Sequence, residues 1–302
     1  MCIRDSYRHE LTQLRTVSAS QGMMIEALAD LAAHRLAPDK DPQRRLDTLR
    51  FAGELKIPFT TGLLVGIGET RQERIATLQA IATSHEEFGH VQEVIIQNFL
   101  PKPRTAMANE PAASDEEFHW TICIARLILP ASIHLQAPPN LSDNPTRLLD
   151  FGIDDFGGIS PVTADHVNPE RAWPAVAVLG GECDARGFNL EPRLTVYPEF
   201  IGPKSGFLDE KVRPAVLAHA DSTFLARNDV WASGSEVIPP SPPVTRSRTT
   251  AVSSLLARYE PGYSFDREEL TTLFHSRGAD FNAVVERADS VRRCLLYTSR
   301  CV

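Results

Sequence analysis

The chain has 302 residues, 42% of them hydrophobic and 23% charged, with a formal net charge of −8. This is the composition of an ordinary globular protein, long enough for one large domain or two modest ones. The acidic balance and the absence of a long basic run argue against a nucleic-acid partner. No apolar stretch nears the roughly 18 residues of a membrane span, so no membrane partner is expected. The start has no signal-peptide core, which makes the cytoplasm the expected location.

Both ends, residues 1–7 and 294–302, lack helical and strand period. They resemble translated sequencing-adapter sequence and are expected to be non-native. The cysteines are Cys2, Cys123, Cys183, Cys294 and Cys301. An odd count without any C-x-x-C argues against a disulfide framework or a zinc site. Cys123 and Cys183 fall in apolar helical patterns and read as buried inert thiols.

From residue 8 to about 190, short strand-like runs alternate with amphipathic helices. The strand-like runs are RTVSA (15–19), PFTTGLLVG (58–66), QEVIIQNF (92–99), SIHLQA (132–137) and DDFGGIS (154–160). The helical patterns between them cover 43–55, with Leu46, Leu49 and Leu55 near one face, and 71–88, with Ile75, Leu78, Ile81 and Ala82 together. A third covers 115–129, after the N-cap candidate Ser114 and with acidic residues in its first turn. A short helix over 145–152 ends at Gly152, a fitting C-cap. This alternation predicts an α/β fold with a parallel sheet flanked by helices. A whole eight-unit barrel takes about 250 residues, so the segment fits the later strands of a partial (β/α) barrel. An open doubly wound sheet is the alternative. Residues 191–245 read as irregular. The Pro-rich run 237–250 reads as a linker, and helical patterns follow at 249–260, 266–276 and 282–293.

Polar, Gly- and Pro-marked loops follow the predicted strands. In IPFTTGLLVGIGETRQER a buried strand runs into Gly66, Gly68 and Glu69 before a helix, where a ligand could approach the backbone and the free N–H groups of the helix start. Gln97 and Asn98 end an apolar strand. Gln136 is polar within a strand, and Pro138–Pro139 stiffens the loop that presents Asn140. The segment DDFGGISPVTADHVNPERAWP (154–174) has the composition of an active-site loop and contributes Asp155, Ser160 and His166. Upstream, VSASQGMMIEAL (17–28) offers Ser20 in a strand-like run and Glu26, whose carboxylate could bind an amino group or lie on a solvated helix face. In a barrel, ligands bind at the strand C-terminal ends. Each loop alone could be structural; several at one end favour a site.

SASQGMMIE, APDKDP (37–42), IPFTTGLLVGIGET, FGHVQEVIIQNF, QAPPNL and DDFGGISPVTADHVNPE resemble the first domain of FO synthases, in which two radical S-adenosylmethionine (SAM) domains are fused. YEPGYSFDREELTTLFHSRGADF (259–281) resembles the start of the second. The resemblance covers about residues 8–293. It implies a radical SAM TIM-type barrel over 8–236, a linker over 237–250 and opening helices of a truncated second radical SAM domain over 251–293. It also implies SAM and a 4Fe–4S cluster as cofactors. The substrates are small molecules, tyrosine and 5-amino-6-(D-ribitylamino)uracil, joined in the second domain; the first closes the deazaflavin ring on the resulting tyrosine-derived adduct. The motif Gly62-x-Leu64-x-Gly66-x-x-Glu69, with Gly68, matches the family's SAM-adenine strand. Ser20, Glu26, Gln97, Asn98, Gln136, Asn140, Asp155, Ser160 and His166 remain substrate-binding candidates.

The departure from the family is the missing C-x-x-x-C-x-x-C. Thiolates bind cluster iron, so the chain is expected to be an internal fragment of a lyase- or transferase-type enzyme, inactive alone. The alternatives are a radical SAM barrel of the menaquinone-pathway type and a non-catalytic small-molecule-binding barrel.

Overall fold

The computed structural model describes residues 7–35, 37, 40–103, 105, 107–160, 163–202, 205–227, 250–259 and 263–295. The chain divides into two compact units, residues 1–229 and 230–302. In the first, helix α1 (Arg8–Arg15) precedes strand β1 (Gln21–Gly22). Then α2 (Pro42–Glu54), β2 (Phe59–Val65), α3 (Arg71–Phe88), β3 (Val91–Asn98), α4 (Asp115–Ile128) and β4 (His134–Gln136) alternate. Helices α5 (Val176–Ala185), α6 (Pro198–Ile201) and α7 (Arg213–His219) follow.

The strands form one parallel sheet in the order β1-β2-β3-β4. A doubly wound sheet reverses its strand order at a switch point. Here each strand lies beside its predecessor in sequence, as in the wall of a barrel, so the architecture is consistent with a partial barrel.

Local sequence sets the helix bounds. Thr70 accepts from Glu73 N at 3.2 Å while the Glu73 carboxylate accepts from Thr70 N at 2.7 Å, a capping box that starts α3. Gly89 ends it at φ 66°. Asp41 caps α2 before Pro42 at the first turn, and Ser114 caps α4. Helices α3 and α4 bury Leu78, Ile81, Phe118 and Ile122 in one core with Leu63, Val65, Val94, Ile96 and Leu135. These strand residues alternate along β2, β3 and β4 and share the face that the helices cover.

Two expected strands differ. RTVSA (15–19) is no strand: Arg15 closes α1, and the hydroxyls of Thr16 and Ser18 donate back to the Gln13 and Leu14 carbonyls at 2.8 and 2.7 Å. Such local bonds compete with strand pairing, which begins instead at Gln21 opposite Phe59. DDFGGIS (154–160) shrinks to a single parallel bridge, Gln136–Asp155, because the chain turns at Gly157 with φ 74°. The 145–152 segment is a 3-10 helix ended by Gly152 at φ 109°. The stretch read as irregular holds α6 and α7. Cys183 is buried and Cys123 partly buried. Residues 237–249 of the expected linker lie outside the described residues.

The second unit contains α8 (Ala251–Arg258), α9 (Arg267–Phe274) and α10 (Ala279–Leu295). Thr250 caps α8 and donates to Asp280 of α10 at 2.8 Å, and Asp266 caps α9. Leu270, Phe274, Phe281 and Val285 leave apolar surface exposed on α9 and α10. Among the described residues no helix is long and apolar enough to cross a membrane.

Ile96 is fully buried in β3, between sheet and helices. Ile96→Ala is expected to cost about 2–5 kcal/mol, read as a lower urea midpoint at unchanged m-value.

Candidate functional site

Parallel pairing puts the C-terminal ends of β2, β3 and β4 on one side of the sheet. After β2 the backbone takes positive φ at Gly66 (96°) and Gly68 (106°). A Cβ on Gly66 would lie 2.8 Å from the Ala113 Cβ, whereas one on Gly68 would meet nothing within 4 Å. Gly68 is therefore the position where the loop faces open space. Glu69 turns inward. Its carboxylate accepts from Gly66 N and Ile67 N, both at 2.8 Å, and from Arg74 Nε at 2.7 Å. Arg74, also buried, continues to Glu117 at 2.5 Å and to Thr121 Oγ1 at 3.2 Å. Glu69 thus fixes the shape of the glycine loop. Leu64 packs with Ala27, Ile67 and Phe99. At Gly62 a Cβ would overlap the Ile95 carbonyl and press on the Met24 thioether.

The Asn98 amide donates to the Leu141 carbonyl at 3.1 Å, tying the end of β3 to the turn after β4. Asn140 and Asn168 both donate to Asp165 Oδ2, at 2.8 and 2.9 Å. These bonds carry the 163–168 segment to the same end as Gly66–Glu69. Burial works against the Asp165 charge, but the two amides outweigh it and hold its carboxyl below the usual range. Ser160 accepts from Thr163 N at 3.1 Å, a local turn, and His166 is exposed. Gln97 is half-buried and Gln136 is 8% exposed.

Glu26 sits beside Leu63 with φ 62°, an uncommon conformation for a residue other than glycine. Lys40 Nζ contacts its carboxylate at 2.8 and 2.9 Å, His34 Nε2 at 2.8 Å and Arg45 at 3.8 Å. Burial opposes the Glu26 charge, but His34, Lys40 and Arg45 outweigh it and keep the pKa low. Ser20 is set apart from these groups. It precedes β1, at the strand-start end, and donates to the Thr195 carbonyl at 2.7 Å.

The structure adds residues that sequence reading did not single out. Paired residues share a face, so Thr60, Glu93 and His134 form one row on the side away from α3 and α4. Arg193 closes this row, donating to Glu93 at 2.7 Å and to Asp155 at 2.5 Å. The Tyr197 hydroxyl lies within hydrogen-bond distance of both Glu93, at 2.9 Å, and Asp155, at 2.8 Å, with one proton to donate between them, and its ring stacks on His134 at 4.0 Å. Burial pushes the Glu93 pKa up, against the pull of Arg193. Burial, with Glu93 and Asp155 alongside, also pushes the Tyr197 pKa up. Asp155 therefore belongs to this packed polar layer. The signal in the sequence was Glu93 itself, a lone carboxylate in the apolar run VQEVII; Arg193 and Tyr197 come from a stretch with no period. Among the described residues no group of three or more His, Cys, Asp or Glu could hold a metal ion.

No family model matches the chain. The FO synthase of Mycobacterium tuberculosis strain CDC 1551 is 44% identical over 284 residues, 87% of this chain and 33% of that protein. The 7,8-didemethyl-8-hydroxy-5-deazariboflavin synthase of Methanosarcina barkeri is 51% identical over 197 residues, 65% of this chain and 60% of its own length. The chain is a homologue of the FO synthases. The Methanosarcina mazei protein of the same name as that of M. barkeri agrees, at 47% identity over 216 residues, 72% of this chain and 63% of its own. The FO synthase resemblance read from the strand-end motifs is thus borne out. The chain spans a third of the length of the mycobacterial FO synthase and about three-fifths of the archaeal relatives.

Two measurements test the buried carboxylates. Glu69→Ala removes the acceptor of two loop N–H groups and one of the two carboxylates on Arg74, which keeps Glu117, and is expected to destabilise the chain by about 1.5–3 kcal/mol, read from the urea midpoint. For Glu26, a folded pKa below the ordinary 4.5 means its stabilisation is complete above that value and is lost as pH falls through the folded pKa. The loss of stability from about pH 7 to about pH 4 should therefore be smaller in Glu26→Gln than in the wild type.

Proposed function

We propose that residues 8–236 are the later part of a radical SAM (β/α) barrel, the ring-closing domain of an FO synthase in deazaflavin biosynthesis. Its substrate would be the tyrosine-derived adduct of 5-amino-6-(D-ribitylamino)uracil. The observation that carries this reading is the 44% identity to an FO synthase that runs over 87% of the chain. The strand-end placement of the glycine loop and of the Asn98, Asn140 and Asp165 loops supports it, because barrel ligands bind at that end. The same relatives weigh against a menaquinone-pathway barrel.

SAM would lie against the loop at Gly68, where open space allows close backbone approach. When bound, it supplies the deoxyadenosyl group for the family's radical chemistry. The chain's own contribution is to shape that loop. Glu69 and Arg74 lock it, Gly66 packs against Ala113, and Leu64 fills the space beneath.

The 4Fe–4S cluster does not fit this chain. Cys123 and Cys183 are held in separate helices, α4 and α5, and among the described residues no metal-binding group forms. In this reading the cluster thiolates come from elsewhere in a longer parent enzyme. Residues 251–293 open a second radical SAM domain, joined by a linker over 237–250, and the parent works in the cytoplasm.

Anaerobic reconstitution with iron and sulfide tests the reading. The 302-residue chain is expected to form no stoichiometric cluster and to release no 5′-deoxyadenosine from SAM. A full-length protein carrying this segment is expected to do both and to form the deazaflavin. Cluster formation by the chain alone would overturn the fragment reading. A full-length protein that cleaves SAM but makes no deazaflavin would overturn the assigned reaction.

A further inference from the structure

The open question at the strand ends is what reads the substrate. Most polar side chains there are already committed: Glu69 to its loop, Glu26 to Lys40 and His34, Asn98 and Asn140 to neighbouring loops, and Asp155 to Arg193 and Tyr197. Gln136 differs. It is 8% exposed, yet its amide has no hydrogen-bond partner among the described residues, and it is not among the side chains sealed off without one.

Register fixes where it points. Gln136 pairs with Ile95, and Ile95 with Gly62, on the face away from α3 and α4. This row lies immediately above the Thr60–Glu93–His134 row, which Arg193 and Tyr197 close. One step further along β3, Gln97 faces the same way and likewise has no partner among the described residues. Gly157 supports the arrangement: a Cβ there would overlap the Gln136 amide, so glycine leaves that amide its place. The Gln136 amide atoms bond nothing among the described residues and still reach solvent, so they remain free to bond a ligand.

We infer that Gln136, with Gln97 beside it, is the specificity-determining contact for a planar cyclic imide or lactam edge, such as that of a pyrimidinedione. A carboxamide presents an acceptor oxygen and donor N–H groups side by side, and an imide edge presents an N–H flanked by carbonyls. The two patterns match in either amide orientation. The polar layer below is internally satisfied and serves as the floor against which the ring rests. This deepens the FO synthase reading and rests on it, since that reading places a uracil-derived ring at this end.

The test is binding of the deazaflavin product, followed by its own fluorescence, to a full-length protein carrying this segment. The product keeps the pyrimidinedione edge, and its N3-methyl derivative lacks the imide N–H. The wild type is expected to prefer the unmethylated compound by about tenfold or more. Gln136→Leu should abolish that preference and leave SAM affinity and thermal stability unchanged, because the Gln136 amide makes no hydrogen bond to the described residues that the substitution would break. Gln136→Met, which keeps the side-chain length, repeats the measurement if leucine disturbs the contact with Gly157. A preference that survives both variants overturns the inference. So does its loss together with falling stability and SAM affinity, which marks a structural role. A wild type that binds SAM but neither deazaflavin overturns the underlying reading before any variant is made, and the inference with it.

Discussion

Parallel strand pairing is the constraint on which the rest of the first unit depends. Each strand must be reached by a crossover, and α3 and α4 provide crossovers whose apolar stripes cover one face of the sheet. The period of two then divides the strands. Leu63, Val65, Val94, Ile96 and Leu135 meet the helices, and every register partner on the opposite face is released from that packing. Thr60, Glu93 and His134 fall in one row, Gly62, Ile95 and Gln136 in the next, and Leu64 and Gln97 beyond them. The first row is closed by Arg193 and Tyr197; in the next two, Met24 lies over Gly62 and Leu64 packs with Ala27 and Phe99, while Ile95 and Gln97 stay half-buried. The candidate site is thus the remainder of a packing problem, the face left over once the helices are seated.

Three inward-turned carboxylates, Glu69 and Glu93 buried and Glu26 nearly so, show how this remainder is stabilised. Taking a carboxylate out of water is costly unless it is paired and hydrogen-bonded. Glu69 meets that condition locally, with two backbone N–H groups and Arg74. Glu26 meets it across a short loop, with His34, Lys40 and Arg45. Glu93 meets it only over long range, through Thr60, Arg193 and Tyr197. Its pKa rises where that of Glu26 falls, because burial outweighs the single cation that reaches it. By contrast, the exposed pair of Arg71 with Glu116 is screened by solvent and contributes little. The inward ion pairs therefore fix loop geometry, while the surface pairs decorate it.

The legibility of each element follows from the range of the forces that make it. The 71–88 helix could be placed to the residue because Thr70, Glu73 and Gly89 are local signals at its ends. The strands β2 and β3 were visible as apolar runs bounded by turn residues. RTVSA misled because its alternating polar residues mimic a strand, whereas Thr16 and Ser18 spend their hydroxyls on the helix before them. The glycine loop was legible as a tight strand-to-helix turn. Which of its glycines opens to solvent was not, because Ala113, distant in sequence, closes over Gly66 and leaves Gly68 clear. The floor was least legible of all: Arg193 reaches back to Glu93 from a segment with no period.

The amides at the strand ends separate structural from receptive groups on one criterion, whether folding has already used them. Asn98 and Asn140 each donate to a neighbouring loop, and each leaves its oxygen buried without a partner. Their bonds are made whether or not a ligand is present, so their energy stabilises the loops. Gln97 and Gln136 make no such bonds among the described residues, although an apolar side chain at either position would leave no polar group to satisfy. Gly157 sharpens the contrast. Its positive φ already favours glycine, and the absence of a Cβ also leaves the volume that the Gln136 amide occupies. The backbone turn and the placement of an uncommitted amide are therefore met by one residue.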